Sequence, residues 1–208
     1  LNLPEKTVAS YNKQAFKYET KWKNYLIHTH EAFLRRIKTT GGDTILDTSG
    51  GTGLLAKLLI EQGSPFEHLI VNDPSEKMLA IARDRLSDES SISFSNYRAE
   101  KLSYKANKFD RIFCLNSFHF YMNQPEVLER FNTMLTPGGR LYILDWDRSG
   151  FFVIVNQLLK WITSEHIESR SLSEMTQILD RCGFKIDNED SWNWRYWKFF
   201  FVEAHKSS

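Results

Sequence analysis

The sequence predicts an α/β protein: a doubly wound, mostly parallel sheet with an N-terminal helical cap and an antiparallel strand at its C-terminal edge. Two patterns carry this expectation. From Thr44 to Tyr142, short β-rich runs alternate with longer runs of helical period, which is how βαβ units around a parallel sheet read. Beyond residue 183, two further β-rich runs lie close enough together to pair antiparallel.

Taken in order, residues 5–37 have helical periodicity and several aromatics, Tyr11, Phe16, Tyr18, Trp22, Tyr25 and Phe33, and supply the cap over one mouth of the sheet. Residues 44–46 are the first predicted strand. A glycine loop leads from it into a helix whose Leu54, Leu55, Leu58 and Leu59 form one apolar face. Residues 69–72 make the second strand, and a helix follows from Ser75 to about Leu86, with Pro74 near its first turn, where a missing N–H costs least. The third and fourth strands are 92–97 and 109–116. Pro125 opens a helix with Val127, Leu128, Phe131 and Leu135 on one face, and Thr136-Pro137-Gly138-Gly139 turns the chain into a fifth strand, 140–146.

The C-terminal part is less regular. Residues 151–162 are apolar at nine of twelve positions, broken by Asn156, Gln157 and Lys160, which suits a buried helix first, a lid over an apolar substrate second, and a membrane-touching segment last. Ser171-Leu172-Ser173-Glu174 has capping-box spacing and starts a helix to Cys182, with Gly183 as its stop. Residues 184–190 and 196–204 are the antiparallel strands; the Trp192, Trp194, Trp197 and Phe199-Phe200-Phe201 side chains suit a buried or amphipathic strand.

Composition narrows the function classes. A chain of 208 residues with 41% hydrophobic and 25% charged residues suits one globular domain rather than a disordered, fibrous or disulfide-scaffold protein. Its 27 basic and 26 acidic residues leave a formal charge of +1, without the basic excess that gives nucleic-acid binders their non-specific affinity. Cys114 and Cys182 show no CxxC spacing and suit buried free thiols in a reducing compartment, so a cytoplasmic location is expected. No run reaches the ~20 apolar residues that span a bilayer and no leader pattern is present; Leu1 is not an initiator Met.

The most informative segment is Ile45-Leu46-Asp47-Thr48-Ser49-Gly50-Gly51-Thr52-Gly53, a strand running through glycines into a helix. Glycine there lets the backbone approach a ligand and adopt positive φ, while the helix start offers unpaired N–H groups. Asp73 ends the next strand, 22 residues after Gly51, where a carboxylate can accept both ribose hydroxyls of an adenosine. Two cofactors fit these features. Gly51-Thr52-Gly53-Leu54-Leu55-Ala56 matches the dinucleotide fingerprint, and the spacing to Asp73 suits NAD. Asp47, however, would repel a pyrophosphate but can anchor an ammonium group, and adenosine joined to an amino acid is S-adenosylmethionine.

On these residues the sequence resembles the class I S-adenosylmethionine-dependent methyltransferases over about residues 11–204. Asp47, Gly51 and Gly53 match the family's first motif, with Ser49 in place of its first glycine, a variant similar to that of the ubiquinone/menaquinone C-methyltransferase group. Asp73-Pro74-Ser75-Glu76-Lys77-Met78-Leu79 resembles the acidic second motif. The resemblance implies that Asp73 binds ribose, that Met78 packs near adenine, and that Ser49, Gly50, Gly51, Thr52, Gly53 and Pro74 shape the cofactor site. Arg98-Ala99-Glu100-Lys101-Leu102 corresponds to the adenine-edge loop and places Ala99 and Glu100 in the implied cofactor site; Arg98 stands where the family usually has Asp or Asn, so which side chain meets the adenine amine stays open. Phe109-Asp110-Arg111-Ile112 and Leu135-Thr136-Pro137-Gly138-Gly139 are similar to later signatures. Tyr11, Ala15 and Tyr18 look like the helix that closes over the cofactor in relatives. The implied fold is Rossmann-like, in one domain, 1–208: a helical cap (1–40), a cofactor-binding core (41–148), and a lid helix with C-terminal hairpin (149–208).

Methyl transfer from a sulfonium disperses charge, so alignment and water exclusion are the main tasks. Where the acceptor must lose a proton, His119, after the fourth strand, is the candidate base, set against a structural histidine. Asn116 is expected at the cofactor's methionine end. Asp145, Trp146 and Asp147 suit a substrate-cavity wall or a solvated loop equally, and His166 a surface position. Asn116-Ser117-Phe118-His119 lacks the two prolines of the nucleic-acid amine methyltransferase motif, and no metal-site spacing appears. The expected protein is a methyltransferase for a small, aromatic or lipophilic acceptor, without nucleic acid or membrane insertion. An NAD-dependent oxidoreductase and a non-catalytic cofactor-binding protein are the alternatives.

Overall fold

The computed structural model describes residues 3–162 and 166–207. The expected 1–208 unit includes residues 1–2, 163–165 and 208, which lie outside the described residues, as does Leu1. A seven-stranded sheet has the order β3-β2-β1-β4-β5-β7-β6. Strands β1 (Thr44–Asp47), β2 (His68–Asn72), β3 (Ile92–Ser95), β4 (Phe109–Leu115) and β5 (Leu135–Trp146) are mutually parallel. Strands β6 (Phe184–Trp194) and β7 (Trp197–Lys206) form an antiparallel hairpin that joins the sheet through β7 against β5. The mostly parallel, doubly wound expectation with an antiparallel C-terminal edge is borne out.

Strands β1, β2, β4, β5 and β7 feed both faces of the sheet. Ile45, Val71, Phe113, Leu144 and Phe201 pack into one core cluster, while Leu46, Ile70, Cys114, Ile143 and Phe200 pack into the other. Side chains on a strand alternate faces, so covering both faces requires continuous apolar runs, which is why these strands read as such in the sequence. Helices α3 (Lys23–Leu34), α4 (Leu54–Glu61), α5 (Glu76–Arg85) and α7 (Phe152–Ile162) contribute to the first cluster. Helices α6 (Gln124–Met134) and α8 (Leu172–Arg181) contribute to the second. Before them, α1 (Leu3–Gln14), a 3-10 turn and α2 (Tyr18–Lys21) form the first part of the cap.

Local chemistry sets the helix ends. Ser75 caps α5 by accepting from the Met78 N–H at 3.2 Å, and Ser171 and Glu174 form the full capping box of α8. Gly183 follows at φ +79°, the left-handed stop expected there.

Four expectations need correction. The Thr136–Gly139 turn does not precede β5 but lies inside it: Leu135 pairs with Phe109, Arg140 pairs with Arg111, and the intervening residues bulge out. Cys114 is buried as expected, but Cys182 is only half-buried, at the C-terminus of α8. Helix α7 is not a fully buried core helix: Phe152 and Asn156 are buried, while Phe151, Ile154 and Leu158 are 69%, 65% and 55% exposed. Asp145, Trp146 and Asp147 are all buried, in neither a solvated loop nor a cavity wall, because each is engaged from the side: the Ser191 hydroxyl donates to Asp147 at 2.7 Å, and the Trp146 indole donates to Tyr25 at 2.8 Å.

Candidate functional site

A cavity partly open to solvent lies at the C-terminal ends of β1, β2 and β4. This is the edge where parallel α/β sheets bind ligands, because the strand order reverses there and the following loops diverge. The β1–α4 loop forms its floor. Gly51 takes φ +56°, and its N–H donates to Asp73 Oδ2 at 2.9 Å, so the loop is laced to the end of β2. Gly50 sits so tightly that a Cβ would stand 2.7 Å from Asp47 Oδ2 and 2.7 Å from Val71 Cγ1. The glycine is therefore required by the carboxylate beside it.

The two carboxylates differ in how they are satisfied. Asp73 accepts from the Ser75 N–H at 2.8 Å as well as from Gly51, whereas Asp47 Oδ2 is buried with no hydrogen-bond partner among the described residues. Burial, reinforced by the charge of Asp73, pushes Asp47 up to about 7, against a hydrogen bond from the Ser49 backbone. Burial pushes Asp73 up to about 6, against the Ser75 and Gly51 N–H groups. A buried acceptor on a cavity wall without a donor is a place prepared for a cationic or N–H-bearing ligand group.

Other expected residues surround the same space. Pro74 and Met78 continue the wall beyond Asp73, and Ala99 and Glu100 face it from the loop after β3. Arg98 also lines it, with Nε 3.3 Å from Glu100 Oε2, while the other Glu100 oxygen accepts from the Met122 N–H at 2.9 Å. Tyr11 and Tyr18 cover the cavity from the cap, their rings 5.8 Å apart, and Tyr11 meets Phe120 edge-on at 5.6 Å. Ser49 and Thr52 line the floor, but their hydroxyls are engaged within the protein. Ser49 Oγ lies 3.0 Å from the Tyr121 hydroxyl, and Thr52 Oγ1 donates to Glu19 Oε1 at 2.5 Å. The serine in place of the first motif glycine thus ties the loop to the turn after β4.

Asn116 lines the cavity at the end of β4 with φ +56°. Its amide is held at both ends, accepting from the Tyr25 hydroxyl at 3.0 Å and donating to Thr29 Oγ1 at 2.8 Å.

Two expected residues stand elsewhere. Gly53 is absent from the wall; at φ +74° it caps α4, and a Cβ there would approach Leu86 Cδ1 to 2.9 Å, so it serves the packing of the loop on α5. His119 is 2% exposed and off the wall, clamped between Asp145 and the face of Trp146, whose ring lies 3.8 Å away. His166 is half-buried outside the cavity, 3.8 Å from Glu168.

Sequence reasoning missed His30, Tyr121, Glu19 and Arg85. His30 lines the cavity from α3, and Tyr121 does so from the turn after β4. Arg85 Nη2 lies 2.7 Å from Glu19 and Arg85 Nη1 donates to the Thr52 carbonyl at 3.0 Å. The helical period of 5–37 placed His30 on a helix but gave no sign of which face meets the sheet.

Comparison with known proteins gives a consistent picture. A methyltransferase-domain family profile matches residues 46–143, from β1 to β5. Over 110 residues the chain is 32% identical to the ubiquinone/menaquinone biosynthesis C-methyltransferase of Hydrogenovibrio crunogenus; the match covers 51% of this chain and 43% of that protein. The chain therefore spans less than half the length of this curated relative. Among solved structures, a chain of the Haloferax volcanii complex between a methyltransferase and its activator superposes with TM-score 0.82 at 17% identity, covering 95% of this chain and 98% of that one. The Haemonchus contortus phosphoethanolamine N-methyltransferase 2, solved with phosphomonomethylethanolamine and S-adenosylhomocysteine, superposes with TM-score 0.81 at 17% identity, covering 95% of this chain and 58% of that one. Residues 46–143 are thus similar to the methyltransferase-domain family, and the chain shares the fold of the solved methyltransferase structures.

Proposed function

We propose that this chain binds S-adenosylmethionine in the β1/β2/β4 cavity and transfers its methyl group to a small, aromatic or lipophilic acceptor. One observation carries the reading: the orphaned, buried Asp47 Oδ2 on the cavity wall, which needs a cationic donor. The ammonium of the cofactor's amino-acid end is such a donor. Asp73 is then the ribose acceptor, with Pro74, Met78, Ala99 and Glu100 about the adenine and Asn116 near the amino-acid end. The same carboxylate weighs against NAD, whose pyrophosphate it would repel.

When bound, the cofactor supplies an electrophilic methyl group on a sulfonium. The residues of this chain bind, orient and exclude water. Tyr11, Tyr18 and Phe120 close the cavity beneath the cap, which strengthens each electrostatic contact inside. The Val8, Leu26 and Leu115 side chains give the wall an apolar section suited to an apolar acceptor. No dedicated base is assigned. His119, the sequence-based candidate, is engaged by Asp145 away from the wall, and a positioning role for it follows in this proposal.

Residues 41–148 form the cofactor-binding part, with the cap at 1–40 and the C-terminal hairpin as support. The acceptor is a small molecule rather than a nucleic acid, in keeping with the formal charge of +1, and the reduced-thiol composition supports a cytoplasmic location. Among the described residues, no helix is long and apolar enough to cross a membrane.

The test is parallel calorimetric titration with S-adenosylmethionine, S-adenosylhomocysteine and NAD, followed by a methyl-transfer screen of small acceptors. Saturable binding of the two sulfur ligands with NAD silent supports the reading. Binding of NAD alone, or silence from all three, overturns it.

A further inference from the structure

His30 is a second polar group on the cavity wall whose hydrogen-bonding capacity is half used. It lies one turn after Leu26 on α3, is 7% exposed, and lines the same cavity as Asp47. Its Nδ1 is 2.8 Å from the Leu26 carbonyl oxygen. A carbonyl can only accept, so Nδ1 carries the proton, and in the neutral ring Nε2 is left as an acceptor. Burial lowers this histidine to about 4, which keeps the ring neutral near pH 7. Among the described residues Nε2 makes no hydrogen bond, the ring's one contact being that of Nδ1.

The wall therefore holds two acceptors without donors, one anionic at Asp47 Oδ2 and one neutral at His30 Nε2. Among the described lining residues the cationic side chain is Arg98, which pairs with Glu100. An ammonium group has three N–H donors and a single positive charge, so one carboxylate neutralises it while a lone pair takes a second proton. A ligand carboxylate in the same place would meet a lone pair and a negative charge.

We infer that His30 is a specificity-determining residue that accepts a hydrogen bond from the ligand's α-ammonium group beside Asp47, and so selects cofactors with an intact amino-acid amine. The inference rests on the proposed reading of this cavity. The helix that presents His30 is fixed independently of ligand, since Asn116 bridges Tyr25 and Thr29 on the same helix. The imidazole is thereby preorganised, and binding requires little rearrangement of α3.

The test compares wild type, His30→Leu and His30→Gln for binding of S-adenosylhomocysteine, its deaminated analogue, and 5′-methylthioadenosine, which has no amino-acid end. Expected is a loss of at least tenfold for S-adenosylhomocysteine in His30→Leu, a change below twofold for the other two ligands, and partial recovery in His30→Gln, whose amide oxygen can accept. In ¹⁵N-histidine spectra, wild-type His30 remains neutral on binding while its Nε2 signal moves. Equal losses for all three ligands would make His30 a packing residue and overturn the inference. Unchanged S-adenosylhomocysteine affinity in His30→Leu, or protonation of His30 on binding, overturns it too. If wild type binds no sulfur ligand, the reading of the cavity fails first; if wild type binds and His30→Leu binds equally, only this inference fails.

Discussion

His119 Nδ1 lies 2.5 Å from Asp145 Oδ1, and the His119 backbone N–H donates to the other oxygen of the same carboxylate at 2.9 Å. Both side chains are 2% exposed. One carboxylate at the end of β5 thus holds a residue just past β4 by ring and by backbone, and Trp146 stacks on the ring from the next position. The pair fixes how the β4 turn leaves the sheet, and that turn carries Phe120 and Tyr121 to the cavity.

Replacing His119 by Ala should therefore reduce stability rather than chemistry. It takes the ring donor from Asp145 Oδ1, leaving that oxygen the Trp146 N–H at 2.7 Å, and removes a buried stacked ring, a loss of roughly 2–4 kcal/mol. Urea denaturation should show the drop, while S-adenosylhomocysteine affinity of the folded protein stays within about threefold, on the order of 0.7 kcal/mol. A turnover rate that collapses with the urea midpoint unchanged would instead make His119 the base.

Asp47 predicts a pH signature with a definite sign. Its folded value of about 7 lies above the value near 3.8 of an unperturbed Asp, so the folded state holds a proton that the unfolded state has released between these limits. Its contribution is fully present below the unfolded value and is lost as pH rises toward 7, a change on the order of 4 kcal/mol, with Asp73 adding to the same trend up to about 6. The ligand-free protein should be more stable at pH 5 than at pH 8, and Asp47→Asn should flatten much of that slope. The same variant should lose binding of amine-bearing ligands. Wild-type affinity for S-adenosylhomocysteine should fall below pH 7, more steeply than that for 5′-methylthioadenosine, because an ammonium competes with the proton on Asp47.

The glycine loop separates two kinds of glycine. At Gly51 the space is open and the restriction is φ +56°, so an Ala costs about 1 kcal/mol of backbone strain. At Gly50 a Cβ collides with Asp47 and Val71 within the buried floor. Gly50→Ala should displace the Asp47 carboxylate, destabilise by roughly 1–3 kcal/mol and weaken S-adenosylhomocysteine more than tenfold. Gly51→Ala should leave binding measurable by the same titration. Equal effects would mean that backbone conformation, not crowding, governs the floor.

What the sequence conveys here follows from how local each signal is. Short, near-continuous apolar runs mark the central parallel strands because both sheet faces are buried, and Ser171 with Glu174 announces α8 through a cap confined to four residues. The glycine loop and Asp73 were readable because their geometry depends on spacing along one β–α–β unit. His30, Glu19 and Tyr121 were not readable: Tyr121 and Glu19 are tied to the glycine loop by contacts 73 and 33 positions distant, and His30 reaches the cavity through a helix rotation that periodicity alone leaves open. His119 was placed correctly at the ligand-bearing edge, yet which way it turned depended on Asp145, 26 residues on.

The cap is latched to the glycine loop through one carboxylate. Glu19 accepts from Thr52 Oγ1 at 2.5 Å and pairs with Arg85 Nη2 at 2.7 Å, while Arg85 also reaches the Thr52 carbonyl. Asn12 adds a second tie, accepting from Ser75 Oγ at 2.7 Å. Tyr11 and Tyr18 lie on the stretch between and beside these ties, so the latch holds the rings that cover the cavity. Glu19→Gln retains an acceptor for Thr52 but gives up the charge that pairs with Arg85, and Glu19→Ala removes both. Amide hydrogen exchange over residues 5–21 should quicken modestly in the first and strongly in the second. The dissociation rate of S-adenosylhomocysteine should rise in the same order, by about tenfold for the Ala variant, on the order of 1.4 kcal/mol. Because Glu19 itself is not on the cavity wall, association should change far less than dissociation. Faster exchange without faster release would show that the cap covers the cavity without retaining what is in it.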